Sequence, residues 1–263
     1  MKYIVKILAL ILLLFSSVLL NSDEFWSFNS TPYQNILVRN YSSPRLADID
    51  GDGDLDLFIG LWEATLAFYE NIGSKSKPQF KLINDGKKST YADFRADFQS
   101  NVFLVDIDGD GDLDMFSGSL AGYIKFIRNN GTSKKPRWEV VKRGESGETS
   151  YNRIKVGQNS VPVFCDIDND GDFDMFIGEY DGFINFYKND GTDKTPSWLA
   201  VNDAKNKTGS FQRIFVGMLA APYFVDIDRD GDQDLFIGNF EGFLAFYQNE
   251  GNARDPKFLP VKN

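Results

Sequence analysis

The chain has no histidine and a single cysteine in 263 residues. Without histidine, a Ser-His-Asp or Cys-His nucleophile system, a His-ligated zinc site and the commonest general base are all excluded. One cysteine permits no intramolecular disulfide. Cys165 falls where the other repeats carry Ala47, Val105 and Val225, so it reads as a small buried apolar side chain. No helical period of useful length occurs after residue 22. Long apolar runs are scarce too: Ile7 to Leu20 spans fourteen residues, against the roughly 20 that a membrane span needs. With Lys2 and Lys6 ahead of that run, residues 1–22 read as a secretory signal peptide. Retention as an uncleaved anchor is the alternative. Export, no disulfide and no histidine together lean toward binding rather than catalysis.

What is present is hydrophobic and acidic in separate places. At 42% hydrophobic and 15% aromatic residues, a packed core is well supplied. The net charge of −10 has a local source. "DIDGDGDLD" occurs at Asp48 and again at Asp106, "DIDNDGDFD" at Asp166 and "DIDRDGDQD" at Asp226, and these four stretches hold twenty of the 38 acidic residues. One divalent ion in each would bring −10 to about −2, which argues against a nucleic-acid partner and for bound cations as counter-charge.

The spacings of 58, 60 and 60 residues mark a repeat protein. Each unit reads as strand, acidic loop, strand, tight turn, strand, turn, strand; the last runs "APYFV", "DIDRDGDQD", "LFIG", "NFEG", "FLAFYQN", "EGNARDP", "KFLPV". A four-stranded antiparallel sheet of this size cannot bury both faces alone, so successive sheets must stack, and radial stacking gives a β-propeller. The expected fold is all-β: residues 23–263 form four blades of about 60 residues, each with its acidic loop between the first two strands. The 25 residues from Asp23 to Ala47 and the 38 from Asp226 to Asn263 add up to about one period. "YQNILVRNYSSP" from Tyr33 is similar to "YNRIKVGQNSVP" from Tyr151, which favours a closed ring whose last blade is completed from the N-terminal side. An open four-unit array, or two chains joined in a larger ring, is the alternative.

The loop pattern is D-x-D-x-D-G-x-x-D. Carboxylates at alternate positions, folded together by a glycine-permitted turn, can surround a hard cation with oxygens at calcium distances. An EF-hand opens in the same way but needs a Glu at position twelve, where this chain has Ile59, Ser117, Ile177 and Ile237. The candidate metal residues are Asp48, Asp50, Asp52, Asp54 and Asp56; Asp106, Asp108, Asp110, Asp112 and Asp114; Asp166, Asp168, Asp170, Asp172 and Asp174; and Asp226, Asp228, Asp230, Asp232 and Asp234. Positions one, three, five and nine are expected to ligate through side chains and position seven through its carbonyl, for up to four Ca2+ ions.

These loops, the "LFIG", "MFSG" or "MFIG" that follow, and the "FYEN", "FIRN", "FYKN" and "FYQN" runs with a glycine two places on resemble the FG-GAP and VCBS repeat families, whose blades also occur in integrin alpha heads. The resemblance implies a calcium-loaded propeller used for adhesion or ligand binding outside the cell. Two departures stand out. There are four repeats where integrin heads have seven blades, and Ala64 replaces the glycine found at Gly122, Gly182 and Gly242.

Strand alternation sends the acidic loops to one rim of the ring and the turns between second and third strands to the other. There Trp62, Leu120, Tyr180 and Phe240 occupy one fixed place; Trp62, Tyr180 and Phe240 are the ligand-contact candidates for a protein or glycan partner, although packing on a neighbouring blade would also suit an aromatic. Trp138 and Trp198, with Phe80 and Phe258, read as blade-packing residues. A calcium-dependent polysaccharide-acting enzyme using carboxylates such as Glu179 and Asp181, or a purely structural surface repeat, are the rival readings.

Overall fold

A computed structural model describes residue 36 and residues 42–62, 66–84, 100–141, 151–202 and 214–261. The chain divides into two compact units, Met1–Leu37 and Val38–Asn263, and every strand belongs to the second. The expected signal peptide, Ala64, and all of the segment from Tyr33 to Tyr41 except Ile36 lie outside the described residues.

Blade 1 comprises β1 (Ser43–Ala47), β2 (Asp56–Gly60), β3 (Leu66–Asn71) and β4 (Phe80–Asn84). Blade 2 comprises β5 (Asn101–Val105), β6 (Asp114–Gly118), β7 (Ile124–Asn129) and β8 (Trp138–Val140). Blade 3 comprises β9 (Val161–Cys165), β10 (Asp174–Gly178), β11 (Ile184–Asn189) and β12 (Trp198–Asn202), and blade 4 comprises β13 (Ala221–Val225), β14 (Asp234–Gly238), β15 (Leu244–Asn249) and β16 (Phe258–Pro260). Each blade is an antiparallel meander whose strands pair in chain order. The four blades lie in a ring, a four-bladed β-propeller, as the repeat predicts. Their first strands sit side by side, β1 against β5, β5 against β9 and β9 against β13. Burial lowers the pKa of Arg45 on β1, and Tyr223 on β13 lies near enough to oppose that shift.

The sequence supplies each blade with one aromatic pair in register across its second and third strands. Phe58 stacks on Phe68, Phe116 on Phe126, Phe176 on Phe186 and Phe236 on Phe246, with ring centroids 4.5 to 4.7 Å apart. In blades 2 and 3 these rings face the next blade: Phe116 lies 4.3 Å from Phe164, and Phe176 4.5 Å from Phe224. A short 3-10 turn at Tyr151–Arg153 sets Tyr151 between blades, 4.9 Å from both Phe116 and Phe126 and 5.2 Å from Trp198. Trp138 and Trp198 pack against the core clusters, and Cys165 is buried, as expected.

Backbone closes the seams as well. At Gly122, with φ of +83°, an added Cβ would lie 1.7 Å from the Gly157 carbonyl oxygen, so only glycine admits the crossing link. Val156 N–H then donates to Gly122 O at 3.0 Å, and Val216 N–H repeats the bond to Gly182 O at 3.1 Å. Blade 4 differs at the equivalent place. Leu244 is 69% exposed, where Leu66, Ile124 and Ile184 are 3%, 2% and 3% exposed.

Candidate metal centre

Each acidic loop joins the first two strands of its blade, and its shape follows from its own aspartates. The position-one carboxylate accepts backbone N–H groups across the turn: Asp48 from Gly51 at 2.8 Å and Gly53 at 3.0 Å, Asp106 from Asp110 at 3.1 Å and Gly111 at 3.0 Å, and Asp166 from Asp170 and Gly171, both at 3.2 Å. The position-five carboxylate accepts the position-seven N–H at 3.0 to 3.2 Å in all four loops. Gly53, Gly111, Gly171 and Gly231 adopt φ between +92° and +100°, at the point where the chain reverses. This arrangement brings positions one, three and five together: in each of the sets Asp48, Asp50, Asp52; Asp106, Asp108, Asp110; Asp166, Asp168, Asp170; and Asp226, Asp228, Asp230, one carboxylate oxygen per residue lies within 4.8 Å of the others.

Position nine also fastens the loop to the strands. Asp56, Asp114, Asp174 and Asp234 begin the second strands, are buried, and accept the N–H of Asn71, Asn129, Asn189 and Asn249 at 2.7 to 2.8 Å. The second oxygen of Asp56 accepts Ile49 N–H at 3.2 Å, so this carboxylate pins the loop to two strands at once. Those asparagines are the residues that sequence reasoning passed over. The Asn71 side-chain oxygen accepts Gly73 N–H at 3.1 Å and Gln79 N–H at 2.8 Å, and Asn129, Asn189 and Asn249 repeat both bonds. Their signal was visible as the constant Asn ending "FYEN", "FIRN", "FYKN" and "FYQN".

Whether the loops suit a dication is tested by oxygens left without partners. Position seven is buried in all four loops, and Oδ1 of Asp54, Asp112, Asp172 and Asp232 has no hydrogen-bond partner; neither has Oδ1 of Asp108 and Asp168 at position three. Unpartnered buried carboxylate oxygens beside a cluster of three more carboxylates are costly unless a cation joins them. Burial, then the neighbouring aspartates, pushes Asp112 and Asp172 up to about 6. Burial pushes Asp114 up to about 8, Asp174 to about 7 and Asp56 to about 6, each opposed by its backbone hydrogen bonds. An all-oxygen, acid-rich donor set of this kind suits a hard dication, and the four triads could each hold one.

At the opposite rim, Tyr180 and Phe240 are exposed and Trp62 is half-buried. The structure places the first two among further exposed apolar side chains. Phe183 meets Phe215 with centroids 5.2 Å apart, Phe240 N–H donates to Met218 O at 2.8 Å, and Phe183, Phe215, Met218 and Phe243 are all exposed. Of the suggested acid pair, Asp181 is exposed, but Glu179 is buried and accepts Gly157 N–H.

Residues 106–177 match the FG-GAP-like repeat family, a stretch that runs from the second acidic loop through the third. That stretch resembles an FG-GAP-like repeat. The chain is 25% identical over 179 residues to cartilage acidic protein 1 of Mus musculus; the match takes in 64% of this chain and 25% of that protein, so the chain spans about a quarter of its relative's length. Among solved structures, an Agrocybe aegerita lectin described as recognising non-reducing terminal N-acetylglucosamine superposes with a TM-score of 0.49 at 18% identity, covering 89% of this chain and 55% of the lectin. The Photorhabdus luminescens Tc holotoxin pore gives a TM-score of 0.38 at 16% identity, over 87% of this chain and 10% of that one. Likeness at this level argues nothing about ligands.

Proposed function

We propose that the chain is an exported, calcium-binding β-propeller that serves as a binding or adhesion module for a protein or glycan. The observation that carries the binding role is the exposed apolar row Tyr180, Phe183, Phe215, Met218, Phe240 and Phe243 at the rim opposite the acidic loops. Exposed aromatics on turns held by a rigid scaffold are suited to sugar faces and protein surfaces. Calcium is the dication that best fits four acid-rich oxygen loops in an FG-GAP-like repeat, and it would brace the scaffold from the other rim. Export rests on the apolar run of residues 1–22. Among the described residues no helix is long and apolar enough to cross a membrane. The carboxylate-enzyme reading loses its named acid pair, because Glu179 is buried on Gly157 N–H.

A glycan array and fractionated cell-surface proteins, probed with the calcium-loaded chain, test the role. Binding that Phe240→Ser and Tyr180→Ala abolish supports it. Binding to neither library, or binding that both variants retain unchanged, contradicts it.

A further inference from the structure

The four loops are alike in their aspartates but not in the residue that faces them from the third strand. Immediately before the constant asparagine stand Glu70, Arg128, Lys188 and Gln248. In blade 3 the Lys188 ammonium donates to Asp168 Oδ2 and lies 3.8 Å from Asp170 Oδ2, so a positive charge already sits between positions three and five of that loop. In blade 2 the Arg128 side chain is farther off, with Nε 3.9 Å from Asp108 Oδ2, and its guanidinium carbon lies 5.6 Å from the Phe126 ring centroid. In blade 4 the same place holds a neutral amide: Gln248 Nε2 donates to Asp228 Oδ2 at 3.0 Å. Blade 1 has Glu70 at that position, and so no cation.

We infer that Lys188 is a built-in competitor for the third loop's dication, so that the chain takes up three dications readily and the fourth only at higher concentration. This rests on the reading of the loops as calcium sites. A dication entering loop 3 must displace the ammonium from Asp168 and Asp170 or share their oxygens with it. Either way the site loses attraction that loops 1 and 4 keep, and more of it than loop 2 loses to Arg128, whose Nε lies 3.9 Å from Asp108 Oδ2. The orphaned Oδ1 atoms of Asp168 and Asp172 show that one ammonium does not satisfy the whole loop, which is why the site is weakened and not abolished.

The test is calorimetric titration of the full chain with calcium chloride, alongside two reciprocal variants, Lys188→Gln and Gln248→Lys. The wild type is expected to show three tighter sites and one weaker by roughly tenfold or more. Lys188→Gln should bring the weak site level with the rest, and Gln248→Lys should create a second weak one. Thermal unfolding in EDTA checks that each variant folds; should Gln248→Lys fail to fold, Lys188→Gln alone decides. Four equal sites in the wild type, or a Lys188→Gln isotherm that matches the wild type, would overturn the inference while leaving the calcium reading intact. No calcium uptake by any form would overturn both.

Discussion

At the loop rim, the same backbone bonds recur in all four repeats: position five to position seven, and position nine to the third-strand asparagine. At the opposite rim, the corresponding turns offer Trp62, Leu120, Tyr180 and Phe240, and the residue just before the third strand is Tyr123, Phe183 or Phe243 in blades 2 to 4. One end of the molecule repeats its chemistry and the other varies it. Under the proposed function, the repeated end is scaffold and the varied end is where a partner would be recognised.

The contrast is sharpest where scaffold is removed. Asp114→Ala should cost about 2–3 kcal/mol, because it strands the buried Asn129 N–H, and chemical denaturation in EDTA should show the loss in full. Asp110→Asn keeps an acceptor for Asp112 N–H, so in EDTA it should stay within about 0.5 kcal/mol of wild type and show its defect only when calcium is added. Equal behaviour of the two variants in EDTA would contradict the pinning role of Asp114.

A second prediction concerns pH. Asp114 and Asp174, pushed up to about 8 and about 7 by burial, favour the folded state while protonated. That contribution is complete below their ordinary value of 3.8 and is lost as pH rises through about 7 to 8. In EDTA, stability against denaturant should therefore fall from pH 5 to pH 8. Saturating calcium should flatten the decline, and its uptake at pH 6 should release protons, detectable by calorimetry in buffers of different ionisation enthalpy. A metal-free protein that gains stability across that range would contradict the burial of these carboxyls.

The smallest effect on the fold is expected at the other rim. Phe240→Ser should change stability by no more than about 0.5 kcal/mol, since its side chain is 66% exposed, while removing ligand binding. A large loss of stability would mean that Phe240 packs as part of the scaffold.

The fold and the loops were legible because they repeat: four aspartate patterns at one period, each followed by a short apolar strand, leave few arrangements open. Local patterns could not show that Asp56 pins strands through N–H groups fifteen and seven residues away. Nor could they show that Asn71 links Asp56 to the turn at Gly73, or that Lys188 reaches Asp168 twenty residues earlier. Those contacts are set by strand register, which fixes partners across a hairpin and leaves no mark within a single stretch of chain. The cluster of Phe183, Phe215 and Phe240 was hidden for the same reason, because its members come from two blades and the link between them.

Thermal unfolding in excess EDTA and in millimolar calcium tests the central claim most directly. Calcium sites of extracellular modules bind at about 10⁻⁴ to 10⁻³ M, so on the proposed function millimolar ion should fill the loops and stabilise the fold by mass action. The melting temperature is predicted to rise with calcium. The same melting temperature in both solutions would mean that the four aspartate loops are solvated turns, and the metal-braced scaffold would be refuted.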